Sequence, residues 1–452
     1  MRRLTILTLA VGGLALTTCA GLEPLTDLQA KRLEQIDELL EVLEEDYVFP
    51  KRHDLDWDSL RKQYRAAAPF SARPNDFYHL LTGMLSELDD LHVSFDVPPE
   101  NLVEDGRAAT TVLEVPGFYL MPIEGRPYIV GWPEGQQPRR PERLPEAAAF
   151  PEVVRIEGFR AIWPLVPNLL RGRPGSAAEL HLRWRDGSVT RHTVARPEEV
   201  EEPGGSGVVS AWQLGGGTSL QWEELGGYLY LDLRTLDRDR IELEEIDAIL
   251  DRARESKGLI LDLRRNPGGD WALTGAIGGR FLREPLTFAL SAKPEESFFF
   301  GLISVDPFIS SSWEPRGDRY EGPLIVLTSA LTGSGAEHLA LVLQREVGAI
   351  VIGERTSGAE AGVARYVAQD GSTLRFSAIR LLDLRGRGLQ DSGVVPDVSV
   401  RLTLADVERL GPSGAFRNWE ERIFAAVGRE LGGVSLLERP VPRAESRQEV
   451  TR

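Results

Sequence analysis

The stretch Leu259-Ile260-Leu261-Asp262-Leu263-Arg264-Arg265-Asn266-Pro267-Gly268-Gly269 decides how this chain folds. Its first five residues are apolar but for one, too short a run for a helix, and read as a buried strand. The Asn-Pro-Gly-Gly that follows stops the strand in a tight turn. Upstream, Tyr228 to Leu233 has the same character, and a helical stretch, Ile241 to Arg254, lies between the two. Downstream come a third apolar strand, Leu324 to Thr328, a helix from Ser334 to Arg345, and a fourth strand, Ala349 to Ile352. A hairpin turning at Asp370-Gly371 follows. Strands alternating with helices predict an α/β core. The strands end at Asn266–Gly269 and at Thr332-Gly333-Ser334-Gly335, and ligands of such sheets bind beyond those carboxyl ends.

Ser334 is the candidate nucleophile. Between two glycines at a strand-to-helix turn, its hydroxyl is exposed and backbone N–H groups point at it, the logic of a nucleophile elbow without the G-x-S-x-G pattern. The helix start adds about half a positive charge, which favours a developing oxyanion. The competing reading is an ordinary helix N-cap, a place serine often fills. The Gly268-Gly269 turn is either a second source of oxyanion donors or simply a turn that needs glycine.

The rest of the chain falls into blocks. Arg2 and Arg3 precede an apolar run from Leu4 to Leu16. Thirteen helical residues span about 20 Å, short of a bilayer core of about 30 Å, so residues 1–20 read as an export signal. Cys19, the only cysteine, follows Leu16-Thr17-Thr18. That arrangement resembles a bacterial lipoprotein box with Cys19 lipidated, and the alternative is cleavage after Ala20. Residues 24–100 read as helical, with a Thr26/Gln29 capping box and helices near Asp56–Arg65 and Asn75–Leu88. The last runs into Asp89-Asp90-Leu91-His92 and a strand. Residues 110–197 look β-rich, with a helical stretch at Ala161–Leu170 and a hairpin at Asp186-Gly187. Glu198 to Gly207 reads as a linker ahead of the α/β block at 208–403. A tail, 404–452, carries one helix near Phe416–Val427.

Composition narrows the function. With 452 residues the chain holds two to four domains. Sixty-nine acidic against 52 basic residues give a net charge of −17, which argues against nucleic acid as a partner. A single cysteine excludes an intrachain disulfide and a cysteine zinc cage. Only five lysines occur, at 31, 51, 62, 257 and 293.

Four segments, Leu259–Gly269, Thr332-Gly-Ser-Gly-Ala-Glu337, Val351-Ile-Gly-Glu-Arg-Thr-Ser-Gly358 and Gly393-Val-Val-Pro-Asp397, resemble the successive motifs of the carboxyl-terminal-processing and tricorn-type serine peptidases. With the helical N-terminal block, the resemblance covers about residues 25–403. It implies a crotonase/ClpP-like α/β catalytic core, an N-terminal helical domain and an inserted PDZ-like β-rich domain. It also implies Ser334 as nucleophile and oxyanion donors at the N–H of Gly335 and of Gly268 or Gly269. Gly117-Phe118-Tyr119-Leu120 takes the place of the module's carboxylate-binding loop, and Arg155–Gly158 and Arg173–Ser176 match its later turns. Protein or peptide substrates, recognised at their C-termini, are the implied partners. No metal or organic cofactor is implied.

The branches of that family differ in the base that activates the serine. The processing branch has a lysine where this chain has Ala359, and no lysine follows Lys293. The tricorn-like branch uses a histidine in an Asp-Gly-His-type loop, which Asp89-Asp90-Leu91-His92 matches with Leu91 in place of glycine. His338, one turn after Ser334, is the nearest rival and reads as a partly buried histidine facing away. A glutamate of the branch maps onto Gln390, beside Asp391. Glutamine can orient an imidazole but cannot stabilise imidazolium as a carboxylate does. The expectation is therefore an exported, lipid-anchored serine peptidase of the bacterial envelope with His92 as base. The alternative is a catalytically silent relative that binds peptides or apolar ligands or serves as a scaffold.

Overall fold

The structure is a computed structural model. It describes residues 26–49, 55–71, 73–104, 107–108, 119–132, 135–142, 144, 150–161, 166–170, 175–196, 219–291, 296–298, 303–305, 308–382, 388, 390, 392–433 and 436. The export signal with Cys19, Gly117, Phe118, the linker at 198–207 and Asp391 lie outside the described residues.

Three helices open the chain: α1 (Asp27–Asp46), α2 (Trp57–Ala67) and α3 (Pro74–Ser86). The Thr26/Gln29 capping box starts α1, and the Asp56 side chain caps α2. Ile36, Leu40 and Leu43, spaced three and four apart, turn inward against Leu81, Met84 and Leu85 of α3. This helical core is completed from far away in sequence. The strand Ser94–Asp96, just beyond His92, pairs antiparallel with Thr373–Leu382, and Phe95, Leu374 and Phe376 fill the space under the helices.

The β-rich block is an antiparallel sheet. Its strands Tyr119–Ile123, Arg126–Gly131, Glu152–Ile156, Ala177–Arg183 and Val189–Ala195 lie in that order. The last two turn at Asp186-Gly187, as their sequence predicts. A short α4 (Val166–Leu170) covers one face with Val166, Leu169 and Leu170.

The α/β block is a six-stranded sheet whose spatial order is its sequence order: Leu220–Leu225, Tyr228–Leu233, Leu259–Asp262, Leu324–Thr328, Ile350–Gly353 and Val398–Ser399. The first two strands are antiparallel and the other neighbours parallel. The connecting helices are α5 (Leu243–Ala253), α6 (Trp271–Gly279) and α7 (Gly335–Val342). They cover one face through Leu229, Leu231, Leu261, Val326 and Val351. The other face meets α8 (Leu404–Glu430), together with Met121, Ile123 and Val130 of the β-rich block. Burial on both faces is why these strands read as continuous apolar runs rather than alternating ones.

Four elements depart from the sequence reading. The helix α6 was not expected, because Gly275, Gly278 and Gly279 weaken helix propensity. Their small size lets Trp313 pack directly on the helix, where a Cβ at Gly275 would stand 2.7 Å from the indole. The strands Leu286–Ser291 and Phe308–Trp313, which join Thr373–Leu382 in a second sheet, also escaped notice. The C-terminal helix begins at Leu404, a dozen residues before the expected start. Its Thr403/Asp406 capping box starts the first turns, and the chain kinks at Gly411 (φ 71°) before Pro412 resumes the helix. Among the described residues no helix is long and apolar enough to cross a membrane.

Phe95, 3 % exposed, ties the strand behind His92 to the helical core. Phe95→Ala is expected to cost about 3–5 kcal/mol, the range for a buried aromatic, read from the midpoint of urea unfolding. A change within 1 kcal/mol would show that this strand does not hold the block in place.

Candidate active site

Parallel strands in sequence order put every loop after a strand at one edge of the sheet. The segments after Leu233, Asp262, Thr328 and Gly353 therefore converge, and hydrogen bonds lock them together. Thr332 Oγ1 donates to the Leu263 carbonyl (2.8 Å), Ser329 Oγ to the Arg264 carbonyl (2.6 Å), and the Gly333 N–H to the Asn266 carbonyl (3.0 Å). The loop that carries Ser334 thus rests on the loop that ends in Gly268-Gly269.

Ser334 occupies the N-cap position of α7, with φ 50° and ψ −124°. An ordinary N-cap residue is extended, and a positive φ in a residue with a Cβ persists only where its surroundings enforce it. Here the enforcement is visible. The Ser334 N–H lies 3.0 Å from both the Ala359 carbonyl and Glu337 Oε2. The same Glu337 carboxylate accepts from Thr356 Oγ1, from Ser357 Oγ (2.9 Å), from the Gly358 N–H (2.7 Å) and from the Ala359 N–H (2.9 Å). Burial holds the Glu337 carboxyl above its ordinary value, although these bonds oppose the shift. Three of its five donors are peptide N–H groups, which can only donate, so both oxygens must act as acceptors.

The glycine turn lies directly against the serine. A Cβ on Gly268 (φ 99°) would stand 2.7 Å from the Ser334 Cβ and 2.9 Å from the Gly335 nitrogen. One on Gly269 (φ 150°) would stand 2.4 Å from the Leu236 carbonyl oxygen. No other residue fits either place. The Gly268 N–H is committed to Asn266 Oδ1 (2.9 Å), while Asn266 Nδ2 donates to the Leu233 carbonyl. Of the two glycines expected to offer an oxyanion donor, Gly268 is thereby excluded, because its N–H is already bonded within the turn.

His92 follows α3 and faces the same cleft of about 960 Å³ as Ser334, with Leu91, Pro267, Gly333 and Ala359 in the walls. Its side chain is 10 % exposed, and its N–H donates to Asp90 Oδ1 (2.9 Å). Gln390 is not among these lining residues. Its Oε1 accepts the Glu360 N–H (2.8 Å), and its own N–H donates to Glu360 Oε2 (3.2 Å). Glu360 in turn pairs with His338 Nε2 (2.8 Å), and the His338 ring lies edge-on to Trp271 and Phe288. His338 is thus fully buried with a carboxylate of its own, rather than partly exposed as its sequence suggested. Lys257 donates to the Gly226 carbonyl at the opposite edge of the sheet. Among the described residues no group of histidine, cysteine and carboxylate side chains is arranged to hold a metal ion.

Glu337, Asn266 and Asp90 were not recognised from sequence as parts of the site. All three stand in the sequence motifs, Asn266 at the head of the Asn-Pro-Gly-Gly turn, Glu337 three residues after Ser334 and Asp90 two before His92, but nothing local shows which groups they bond.

Residues 227–400 match the model of peptidase family S41, and residues 28–86 that of the tricorn protease C1 domain. Among solved structures, mature CPAF is similar over 91 % of this chain and 99 % of its own, at 14 % identity with a TM-score of 0.59. A putative peptidase from Parabacteroides merdae is similar over 90 % and 98 %, at 17 % identity and 0.51. At such identities these two likenesses bear on the fold, and the motifs around the serine bear on the chemistry. An α/β core with a serine at a strained strand-to-helix turn is that of a serine hydrolase. The S41 match spans the α/β core with its serine, and the protein is a serine-type peptidase.

Glu337→Gln retains the shape of the side chain but turns one acceptor oxygen into a donor. Each peptide N–H left without an acceptor is expected to cost about 1–3 kcal/mol. Urea unfolding should register that loss, and the rate of fluorophosphonate labelling should fall with it. Unchanged stability and labelling would show that the five bonds do not hold the turn.

Proposed function

We propose that the protein cleaves peptide bonds through an acyl-enzyme on Ser334, with His92 as general base. The observation that carries this reading is the meeting of Ser334, in its enforced conformation, with His92 in one cleft, against a glycine turn that excludes any side chain. Neutral His92 takes the hydroxyl proton as Ser334 Oγ attacks the substrate carbonyl carbon. The resulting oxyanion is stabilised by the N–H groups of Gly335 and Gly269. His92 then gives its proton to the departing amine, leaving the acyl-enzyme. Water enters, loses a proton to His92 and bonds to the acyl carbon; the carbon–Oγ bond then breaks, His92 returns the proton to Ser334 Oγ, and the acid leaves. Each step uses groups of this chain alone.

Two further features complete the proposal. Export, with a lipid anchor at Cys19 in a bacterial envelope, is supported by the N-terminal sequence. The β-rich block acts as a PDZ-like module that captures substrate C-termini near Gly117 to Leu120. Its support is the antiparallel order of its strands and the exposed Tyr119 at the start of the first.

Ser334→Ala should abolish fluorophosphonate labelling and hydrolysis, and an alanine variant that labels like the parent would overturn the nucleophile. His92→Ala should lower kcat/KM by about 10²–10⁴, the usual scale of general acid–base help. Because a histidine base must be neutral and ordinary imidazole titrates near 6.5, kcat/KM of the parent should rise between about pH 6 and 7 and then level. A profile still climbing above pH 9 would point to a different base. For the anchor, Cys19→Ala should move the protein from the membrane to the soluble fraction of expressing cells. For the module, amidating the C-terminus of a bound peptide should weaken its binding.

A further inference from the structure

A histidine base works with a carboxylate that holds its ring and supports its charge, and at the position expected to provide one this chain has Gln390. The side-chain carbonyl of Gln390 accepts the Glu360 N–H, and the Glu360 carboxylate is paired with His338. Neither group is among those lining the cleft with His92. A different carboxylate is close at hand. Asp90, 0 % exposed, places Oδ1 3.8 Å from His92 Nδ1. It does not drift, because Oδ1 also accepts the His92 N–H (2.9 Å) and Oδ2 accepts the Tyr47 hydroxyl (3.0 Å). Tyr47 is itself buried at the end of α1. The chain from Tyr47 through Asp90 to His92 therefore runs from the helical core to the ring.

We propose that Asp90 is the positioning carboxylate of His92, accepting from Nδ1–H so that Nε2 is left to take the serine proton, and that it does the work the glutamine at 390 cannot do. At 3.8 Å the contact is longer than a hydrogen bond. Bonds of this kind commonly tighten only when substrate is bound. The inference rests on reading His92 as the base. Other charged groups around the cleft come with partners of their own. Asp89 pairs with Arg160, Glu124 with Arg401, and Arg234 and Arg265 share Asp232. Glu354 accepts the Leu402 N–H, and Arg355 donates to the Ser392 carbonyl. Asp90 is the carboxylate placed on the ring itself.

The test is the titration of the His92 ring, followed by NMR in the inactive Ser334→Ala protein, with and without Asp90→Asn. Loss of an opposite charge about 4 Å away should lower the ring pKa by about one unit or more. In the active protein the same substitution should slow fluorophosphonate labelling at least tenfold, with the acidic limb moved to lower pH. A side chain that merely supports the fold would slow labelling without moving the limb. If Asp90→Asn does not fold, Tyr47→Phe, which frees one carboxylate oxygen, should shift the titration and the limb in a common direction. An unshifted His92 titration in the folded variant overturns the proposal. If instead His92→Ala labels as fast as the parent, the base lies elsewhere, and the ring titration still reports on Asp90 independently.

Discussion

The carboxylate of Glu337 is the constraint on which the site depends. It is buried, it takes five hydrogen bonds, and those bonds join two loops that follow neighbouring strands of the sheet. From one side it holds the N–H of Ser334, three residues back in sequence. From the other it gathers Thr356, Ser357, Gly358 and Ala359 from the loop after the fifth strand. The Ala359 carbonyl closes the knot by accepting from Ser334 in return. A serine at positive φ is unfavourable by about 1–3 kcal/mol, so it persists only because the surrounding bonds hold it there. The conformation that exposes the hydroxyl is thus imposed from outside the motif that carries it.

Sheet topology puts the knot where chemistry can use it. Because the parallel strands follow one another in space as in sequence, their carboxyl ends deliver the glycine turn, the serine loop and the 356–359 loop to one place. The segments then bond to one another through side chains that are themselves buried, Thr332, Ser329 and Asn266. Beneath them a charged layer ties the sheet to α8. Burial opposes the charge of Asp262, but Arg264 beside it and the Tyr230 hydroxyl hold its carboxyl well below the ordinary range. The Arg264 guanidinium in turn lies over Trp419 of α8. His92 comes from a different block. It reaches the cleft because the strand that follows it is a member of a sheet built mainly from residues beyond 285.

Much of this was legible from residues alone. The buried strands Tyr228–Leu233 and Leu324–Thr328 have the limits their sequences predict, because strands covered on both faces read as near-continuous apolar runs. The capping box of α1 and the Asp186-Gly187 turn were equally plain, since both are local hydrogen-bond patterns. Of the second sheet only the hairpin at Asp370-Gly371 was; Leu286–Ser291 was not, because it is held by pairing across some 90 residues to Thr373–Leu382, which leaves no local signature. The helix α6 was hidden by glycines whose purpose is contact with Trp313 rather than local conformation.

By itself the sequence determined the α/β order, the serine between two glycines, the lack of a lysine to serve it and the histidine at the end of the helical block. Each of these is a matter of which residue follows which, and near-neighbour physics suffices to read it. Tertiary structure decided which groups are left free to act. It committed the Gly268 N–H to Asn266, gave His338 to Glu360, tied Gln390 to the backbone of Glu360, and set Asp90 beside His92. A side chain or peptide group can serve a reaction only if nothing else has claimed its hydrogen bonds. Those claims are made by residues that meet only when the chain has folded.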